Sequence, residues 1–430
     1  MHDLIIQGGM PLRGSVKVKG SKNASLPIIA ASLLTEESVI VDDVPDLHDV
    51  RTMLEVIESM GASIDYNSAE EILRINSMRL DAIEPPCHLV QRMRASFLVL
   101  GPILTRFGKA KISLPGGCAI GSRPVDLHLK GLTSMGADIT LSGGIIEAKT
   151  KQLQGARIYL DFPSVGATEN IIMAASLAKG TTFIENAASE PEVVDLAGFL
   201  NSLGAKVSGA GTNNIRIEGV KELGSTRHAV IPDRIEAGTL LLSAAVTGGD
   251  VTVTNLLPEH IKPLLAKLRE TGVSVEEDGL SVRVRGEGRT KGVDLKTFPY
   301  PGFPTDLQPQ FMILLALSEG TSLVTETIFE NRFRYVPGLQ KMNANIMVEG
   351  NRAVVQGCHE LRGAQVEASD LRAAAALLLA GLTAKGKTQI SNIDYLWRGY
   401  SGFEERLANL GARLECLPSE NYDQPEAFIK

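Results

Sequence analysis

The chain of 430 residues reads as an α/β protein of two similar domains, each built from three repeated βαβ-type units. Three observations carry that reading: a helix-ending turn recurs six times, a two-strand alternation follows it, and the N-terminal residues copy part of a later unit. The turns are Met60-Gly61-Ala62, Met135-Gly136-Ala137, Leu203-Gly204-Ala205, Thr271-Gly272-Val273, Met342-Asn343-Ala344 and Leu410-Gly411-Ala412, at intervals of 68 to 75 residues. Such self-similarity marks a repeat architecture. A chain this long exceeds one comfortable core, so three repeats per domain is the simplest division.

Each unit opens with a polar cluster ahead of an apolar helix. In order, the clusters are Ser21-Lys22-Asn23, Gln91-Arg92-Met93-Arg94, Pro163-Ser164-Val165-Gly166, Asp233-Arg234-Ile235-Glu236, Pro304-Thr305-Asp306 and Ser369-Asp370-Leu371-Arg372. The first, third, fifth and sixth offer the Ser, Thr or Asp of an N-cap, whose side-chain oxygen accepts free amides of the first turn. The third unit shows the rest most clearly. After its first helix comes a β-rich run, Thr181 to Ile184, and then a second helix with Val193, Leu196, Ala197, Leu200 and Leu203 at helical spacing, ended by Gly204. Lys206 to Ser208 and the alternating Ile215-Arg216-Ile217-Glu218 then predict a hairpin.

The sixth unit lacks its last strand, because Pro418 to Lys430 is a polar tail. The N-terminus can supply it: Leu4-Ile5-Ile6-Gln7-Gly8 resembles Val354-Val355-Gln356-Gly357, and Leu12-Arg13-Gly14 matches Leu361-Arg362-Gly363. The first ~20 residues are therefore expected to pack with the last unit. The expected domains are 22–231 and 1–21 plus 232–430, with the site in the cleft between them.

Charged residues at 22% and apolar ones at 44% are ordinary for a soluble globular protein. The longest apolar stretch, around Ala373 to Leu379, is far short of a membrane span, and no signal-peptide pattern opens the chain, so a cytoplasmic protein without membrane insertion is expected. A net charge of −7 argues against a general nucleic-acid binder but leaves room for a local basic pocket. Helix starts related by rough symmetry would aim their positive ends the same way, making a gap between domains attractive to phosphate or carboxylate. Ordinary capping accounts for the same starts.

Cys87, Cys118, Cys358 and Cys416 show neither metal-ligand nor CxxC spacing, so free thiols and no metal are expected. Cys118 stands apart. In units three to six a Gly before the first strand (Gly180, Gly248, Gly320, Gly386) precedes the repeat turn by 23 to 25 residues, whereas Gly108 to Gly136 spans 28. The surplus falls in Leu114 to His128, three glycines and two prolines around one thiol, a loop composition suited to an active-site lid. Beside Arg123, that thiol is a candidate proton donor or nucleophile, and a passive surface Cys fits the spacing as well. Cys87 after Pro85-Pro86, Cys358 at a hairpin exit and Cys416 in a terminal strand suit buried or incidental thiols.

The run Pro115-Gly116-Gly117-Cys118-Ala119-Ile120-Gly121-Ser122-Arg123-Pro124-Val125-Asp126-Leu127-His128 closely resembles the UDP-N-acetylglucosamine 1-carboxyvinyltransferase family, the enolpyruvyl transferases of peptidoglycan synthesis. Gly20-Ser21-Lys22-Asn23-Ala24, Pro304-Thr305-Asp306 and Asp370-Leu371-Arg372-Ala373 carry the same resemblance, which covers essentially the whole chain. It implies three units per domain with helices inside and sheets outside, an inside-out α/β barrel, and no cofactor. It also implies two small-molecule partners, phosphoenolpyruvate and UDP-N-acetylglucosamine. The sugar 3-hydroxyl adds to C2 of phosphoenolpyruvate, and phosphate leaves the tetrahedral intermediate.

By the same resemblance Lys22, Arg123, Arg332, Arg372 and Arg398 meet the anionic substrate. Cys118 donates the proton to C3 and can form a covalent adduct, and Asp306 orients the attacking hydroxyl. The catalytic set is Cys118, Asp306, Lys22 and Arg398. Asn23, Arg94, Arg123, Pro124, Val125, Asp126, Leu127, Ser164, Val165, Gly166, Asp306 and Ile328 match positions that hold the nucleotide sugar. Phe162 and Pro163 depart from members that have lysine and valine there, which removes a cation from the diphosphate. Alkylation of Cys118 by fosfomycin is implied too.

Three other readings can be weighed. The shikimate-pathway enolpyruvyl transferase lacks this cysteine loop. A silent nucleotide-sugar-binding paralogue would have no need of Lys22, Cys118, Asp306, Arg372 and Arg398 together. RNA 3'-phosphate cyclase uses a nucleotidylated histidine, and His228, His260 and His359 sit in no such setting in an acidic chain.

Overall fold

The computed structural model describes residues 2–116, 121 and 125–418. One path repeats through it. In the third unit strand Arg157–Tyr159 leads through helix Val165–Ser176 to strand Thr181–Glu185, and the two strands lie parallel with Ile158 beside Ile184. Parallel neighbours need a crossover of this kind. Helix Pro191–Ser202 ends at Gly204, whose φ of 105° a side chain would resist, and the chain enters the antiparallel pair Lys206–Ser208 and Asn214–Glu218. Ile215 and Ile217 face inward while Arg216 faces out, so the alternation in sequence is the alternation in burial.

The described residues form five four-stranded sheets and one three-stranded sheet. Their inner faces cover the first helices of the units, which are buried all round: residues 167–176, 235–246 and 372–382 have no exposed position. A helix apolar on every side belongs inside. Hydroxyls there find partners, as Ser176 does in the Ile172 carbonyl (2.9 Å), Thr239 in the Ile235 carbonyl (2.8 Å) and Thr168 in the Ala188 amide (3.0 Å), so they cost little. The buried apolar residues separate into two cores. One runs from Ala24 to Val230, and the other combines Leu4 to Val18 with Ile235 to Ala412.

Three expectations need correction. Strand His2–Gln7 does insert into the sixth unit, between Lys387–Ser391 and Arg413–Pro418, but Arg13–Lys17 leaves that unit and pairs in parallel with Asp250–Thr254 of the fourth. The stretch 114–128 is not loop to its end, because helix Asp126–Ser134 takes its last three residues and buries His128. The caps are Ser21, Ser164, Asp233 and Asp370, so the fourth start is capped and the fifth is not. At the fifth start, Thr305 and Asp306 form a single 3₁₀ turn and turn their side chains to other partners.

Candidate active site

Lys22 is the first residue of helix Lys22–Ala31, and its position is fixed from both sides. Ser21 Oγ accepts the Ala24 amide (3.3 Å), while the Lys22 amide donates to Asp233 on the other core's first helix start (3.1 Å). Its ammonium lies 3.2 Å from one oxygen of Asp49, and Arg398 Nε lies 2.8 Å from the other. Asp49 is buried in the first turn of helix His48–Glu58. Burial pushes its carboxyl upward, but Lys22 and Arg398 outweigh that and hold it below the usual range.

Asp306 is gripped in the same way from the opposite wall. Its Oδ1 accepts from Arg332 (2.6 Å) and its Oδ2 from Arg372 (2.8 Å). Arg372 also donates to Tyr400 Oη (3.2 Å), which meets Thr239 and Gln310 at 3.0 and 3.1 Å. Arg332 reaches Thr305 Oγ1 (3.0 Å), whose hydroxyl donates to Glu326 (3.0 Å). Asp306 is half-buried, which raises its carboxyl, yet Arg372 and Arg332 together drive it far below the ordinary value. Its ionisation comes from these two guanidinium groups and not from capping a helix.

Lys22, Asp49, Asp306, Arg332, Arg372 and Arg398 face one cavity of about 840 Å³ between the two cores. Asn23, Arg94, Val125, Asp126, Leu127, Ser164, Val165, Gly166 and Ile328 line it with them. The structure thus brings together every expected site residue that it describes. Cys118, Arg123 and Pro124 lie outside the described residues. Among the described residues no cluster of His, Cys, Asp or Glu is placed to hold a metal ion, and no helix is long and apolar enough to cross a membrane.

The family profile of EPSP synthase (3-phosphoshikimate 1-carboxyvinyltransferase) matches residues 6–407. Closer in sequence is UDP-N-acetylglucosamine 1-carboxyvinyltransferase 1 of Caldanaerobacter subterraneus subsp. tengcongensis, 54% identical over 95% of this chain and 98% of its own. UDP-N-acetylglucosamine 1-carboxyvinyltransferase 2 of Carboxydothermus hydrogenoformans is also 54% identical, over 96% and 99%. The chain belongs to the UDP-N-acetylglucosamine 1-carboxyvinyltransferase family. Among solved structures, the enolpyruvyl transferase NikO from Streptomyces tendae superposes with a TM-score of 0.88 at 26% identity, covering 97% of this chain and 99% of that one. EPSP synthase from Acinetobacter baumannii shares the fold, with a TM-score of 0.76 at 21% identity over 97% and 100%.

The family motifs do not contain every side chain that shapes the cleft of this transferase. Asp49 gave no signal, since its partners are 27 and 349 residues away. Asp233 could have been found: an Asp followed three residues later by Glu236 is a capping signature, and the carboxylate accepts the amides of Ile235 (2.8 Å) and Glu236 (3.0 Å). A third group, Glu169, Glu190 and Glu192, lines the cleft beside Arg234. Arg234 pairs with Glu192 at 2.9 Å, while burial first and then the neighbouring carboxylates push Glu169 well above its ordinary value. The remaining thiols are not part of the cavity lining: Cys87 and Cys416 are exposed, and Cys358 donates to the Ala316 carbonyl (3.1 Å).

Proposed function

We propose that this chain transfers the enolpyruvyl group of phosphoenolpyruvate to the 3-hydroxyl of UDP-N-acetylglucosamine, releasing phosphate, as the first committed step of peptidoglycan precursor synthesis in the cytoplasm. The observation that carries the proposal is the pair of carboxylates, Asp49 and Asp306, each holding two cations against one cavity. Phosphoenolpyruvate brings a carboxylate and a phosphate, and fixed cations in a partly dry cleft are what such an anion requires. Lys22 and Arg398 would share their charge between Asp49 and the substrate, and Arg332, Arg372 and Arg123 would complete the cradle.

Addition of the sugar oxygen to C2 needs a proton at C3, the part assigned to Cys118, whose thiolate could equally form an adduct with phosphoenolpyruvate. Asp306, kept ionised by its two arginines, is a weak base and serves best to orient the attacking hydroxyl. Collapse of the intermediate then breaks the C2–O bond to phosphate, C3 gives its proton back to the Cys118 thiolate, and the proton lost by the attacking hydroxyl leaves with the phosphate. The nucleotide sugar would lie along Asn23, Arg94, Val125 to Leu127, Ser164 to Gly166 and Ile328, with the amides at the start of helix Val165–Ser176 against the diphosphate. The cores 22–231 and 1–21 with 232–430 would close on it.

The test is phosphate release from phosphoenolpyruvate, with and without UDP-N-acetylglucosamine, for the wild type and Cys118→Ala. The proposal expects sugar-dependent release that collapses in the variant. No release from a folded wild type would make the chain a silent nucleotide-sugar-binding protein.

A further inference from the structure

We propose that Tyr400 is a positioning residue whose hydroxyl ties the segment carrying Arg398 to the guanidinium of Arg372, so that the cations on Asp49 and on Asp306 are held in one arrangement. The inference rests on the reading that phosphoenolpyruvate binds among these cations. Tyr400 is fully buried and is not part of the cavity lining, so it acts on a ligand only through its partners.

The direction of each bond around the phenol follows from groups that have only one role. A guanidinium only donates, so Arg372 Nη1 gives a hydrogen to Tyr400 Oη (3.2 Å). The Ile235 carbonyl only accepts, and it takes the hydroxyl hydrogen of Thr239 (2.8 Å). Thr239 Oγ1 therefore accepts the Tyr400 hydrogen (3.0 Å), and the phenol oxygen keeps its lone pairs for Arg372 and for Gln310 Nε2 (3.1 Å). Every position on the hydroxyl is used, which fixes it in the buried interior.

Arg372 meets Tyr400 through Nη1 and Asp306 Oδ2 through Nη2 (2.8 Å), so two acceptors set the plane of its guanidinium. The other end of the tie is covalent. Tyr400 stands two residues after Arg398, whose Nε reaches Asp49 (2.8 Å). The Phe403 ring packs against Tyr400, 4.8 Å between centroids and 50° between planes. A carbon added at Gly399 would lie 2.7 Å from Leu371 Cδ2, so glycine lets this segment rest against the start of helix Leu371–Thr383. One path thus runs from the first core's Asp49 through Arg398, Tyr400 and Arg372 to Asp306 of the second. Cations fixed before an anion arrives have little freedom left to lose when it binds.

Two measurements on the full-length protein decide the matter. Tyr400→Phe keeps the ring and removes the tie; it should raise the KM for phosphoenolpyruvate about tenfold while calorimetric affinity for UDP-N-acetylglucosamine stays within about twofold. Thr239→Val leaves the tyrosine but takes its acceptor, and should raise the same KM about threefold, which keeps the test available if the phenylalanine variant does not fold. An unchanged KM, or an equal loss of affinity for both substrates, overturns the proposal. Phenylglyoxal labelling mapped by mass spectrometry reads the arginines without turnover. Relative to the exposed Arg74, Arg372 and Arg398 should both react faster in Tyr400→Phe than in the wild type, or in Thr239→Val should that be the variant that folds. Unchanged rates overturn the tie, and a rise confined to Arg372 overturns its link to Arg398. Faster labelling of both, in a protein whose wild type releases no phosphate, overturns the phosphoenolpyruvate reading instead.

Discussion

Asp49 joins residues from opposite cores, Lys22 at 3.2 Å and Arg398 at 2.8 Å, and its removal leaves both cations without that partner. Breaking a buried pair from one side costs about 3–5 kcal/mol, reduced here because Arg398 is one-third exposed. Asp49→Ala is therefore expected to lower unfolding free energy by about 2–3 kcal/mol in urea titrations at neutral pH. An unchanged midpoint would mean that the pair is worth nothing. The sign with pH is set by the depressed carboxyls of Asp49 and Asp306: their contribution is complete above the unfolded carboxyl value of about 4 and is lost as pH falls through the lower folded values. Glu169 works oppositely. Its raised folded value means that stability declines as pH climbs above the unfolded value, so Glu169→Gln should match the wild type near pH 4 and melt higher near pH 8. Equal melting temperatures at the higher pH would contradict the burial argument. Asp306→Asn should cut kcat by about 10²–10⁴ while UDP-N-acetylglucosamine still binds, which stopped-flow and equilibrium titration would separate.

Among the elements, what could be read from sequence was what is local. The hairpin Lys206–Ser208 with Asn214–Glu218 follows from alternation within a dozen residues, and Gly204 follows from the turn it must make. Caps were half legible. Ser21, Ser164 and Asp370 bind amides two or three residues on, but Asp306 carries the same chemistry at a helix start and is drawn away by Arg332 and Arg372. A short-range rule cannot weigh partners 26 and 66 residues distant. The same limit misplaced Arg13–Lys17, whose likeness to a fifth-unit segment says nothing of which sheet edge is free. Asp370 is the cap whose loss should matter twice. It accepts the amides of Arg372 (2.9 Å) and Ala373 (3.1 Å), so Asp370→Ala should cost about 1 kcal/mol of stability and also let Arg372 drift from Asp306. Thermal melts and the KM for phosphoenolpyruvate should move together; a lowered melting temperature with unchanged kinetics would show that the cap does not position Arg372.

At the scale of the molecule the two cores meet through two crossings of the chain that are paired with each other. Gly20 bridges to Pro232, the Ser21 amide donates to Ile231 O (2.8 Å), and the Asp233 amide donates to Lys19 O (2.9 Å). Paired crossings let two bodies bend about one line while resisting shear, the behaviour of a hinge at element ends. Further ties across the cores are Lys19 to Glu71 (2.8 Å), Arg234 to Glu192 (2.9 Å) and the Ser189 hydroxyl to Tyr300 O (3.2 Å). The cleft wall presents Lys22, Arg332, Arg372 and Arg398, and a dianion placed among them draws both bodies inward. Small-angle scattering should therefore show a smaller radius of gyration with UDP-N-acetylglucosamine and phosphate than without. Gly20 gives the handle on the hinge, because a side chain there would collide with the Asp43 carbonyl in the first core. Gly20→Ala must shift one crossing against the other at a cost of about 1–3 kcal/mol, and ligand-induced compaction should shrink or vanish while Asp49 and Asp306 remain intact. A Gly20→Ala protein that folds with wild-type stability and compacts to the wild-type extent would place the bending line elsewhere than at these crossings.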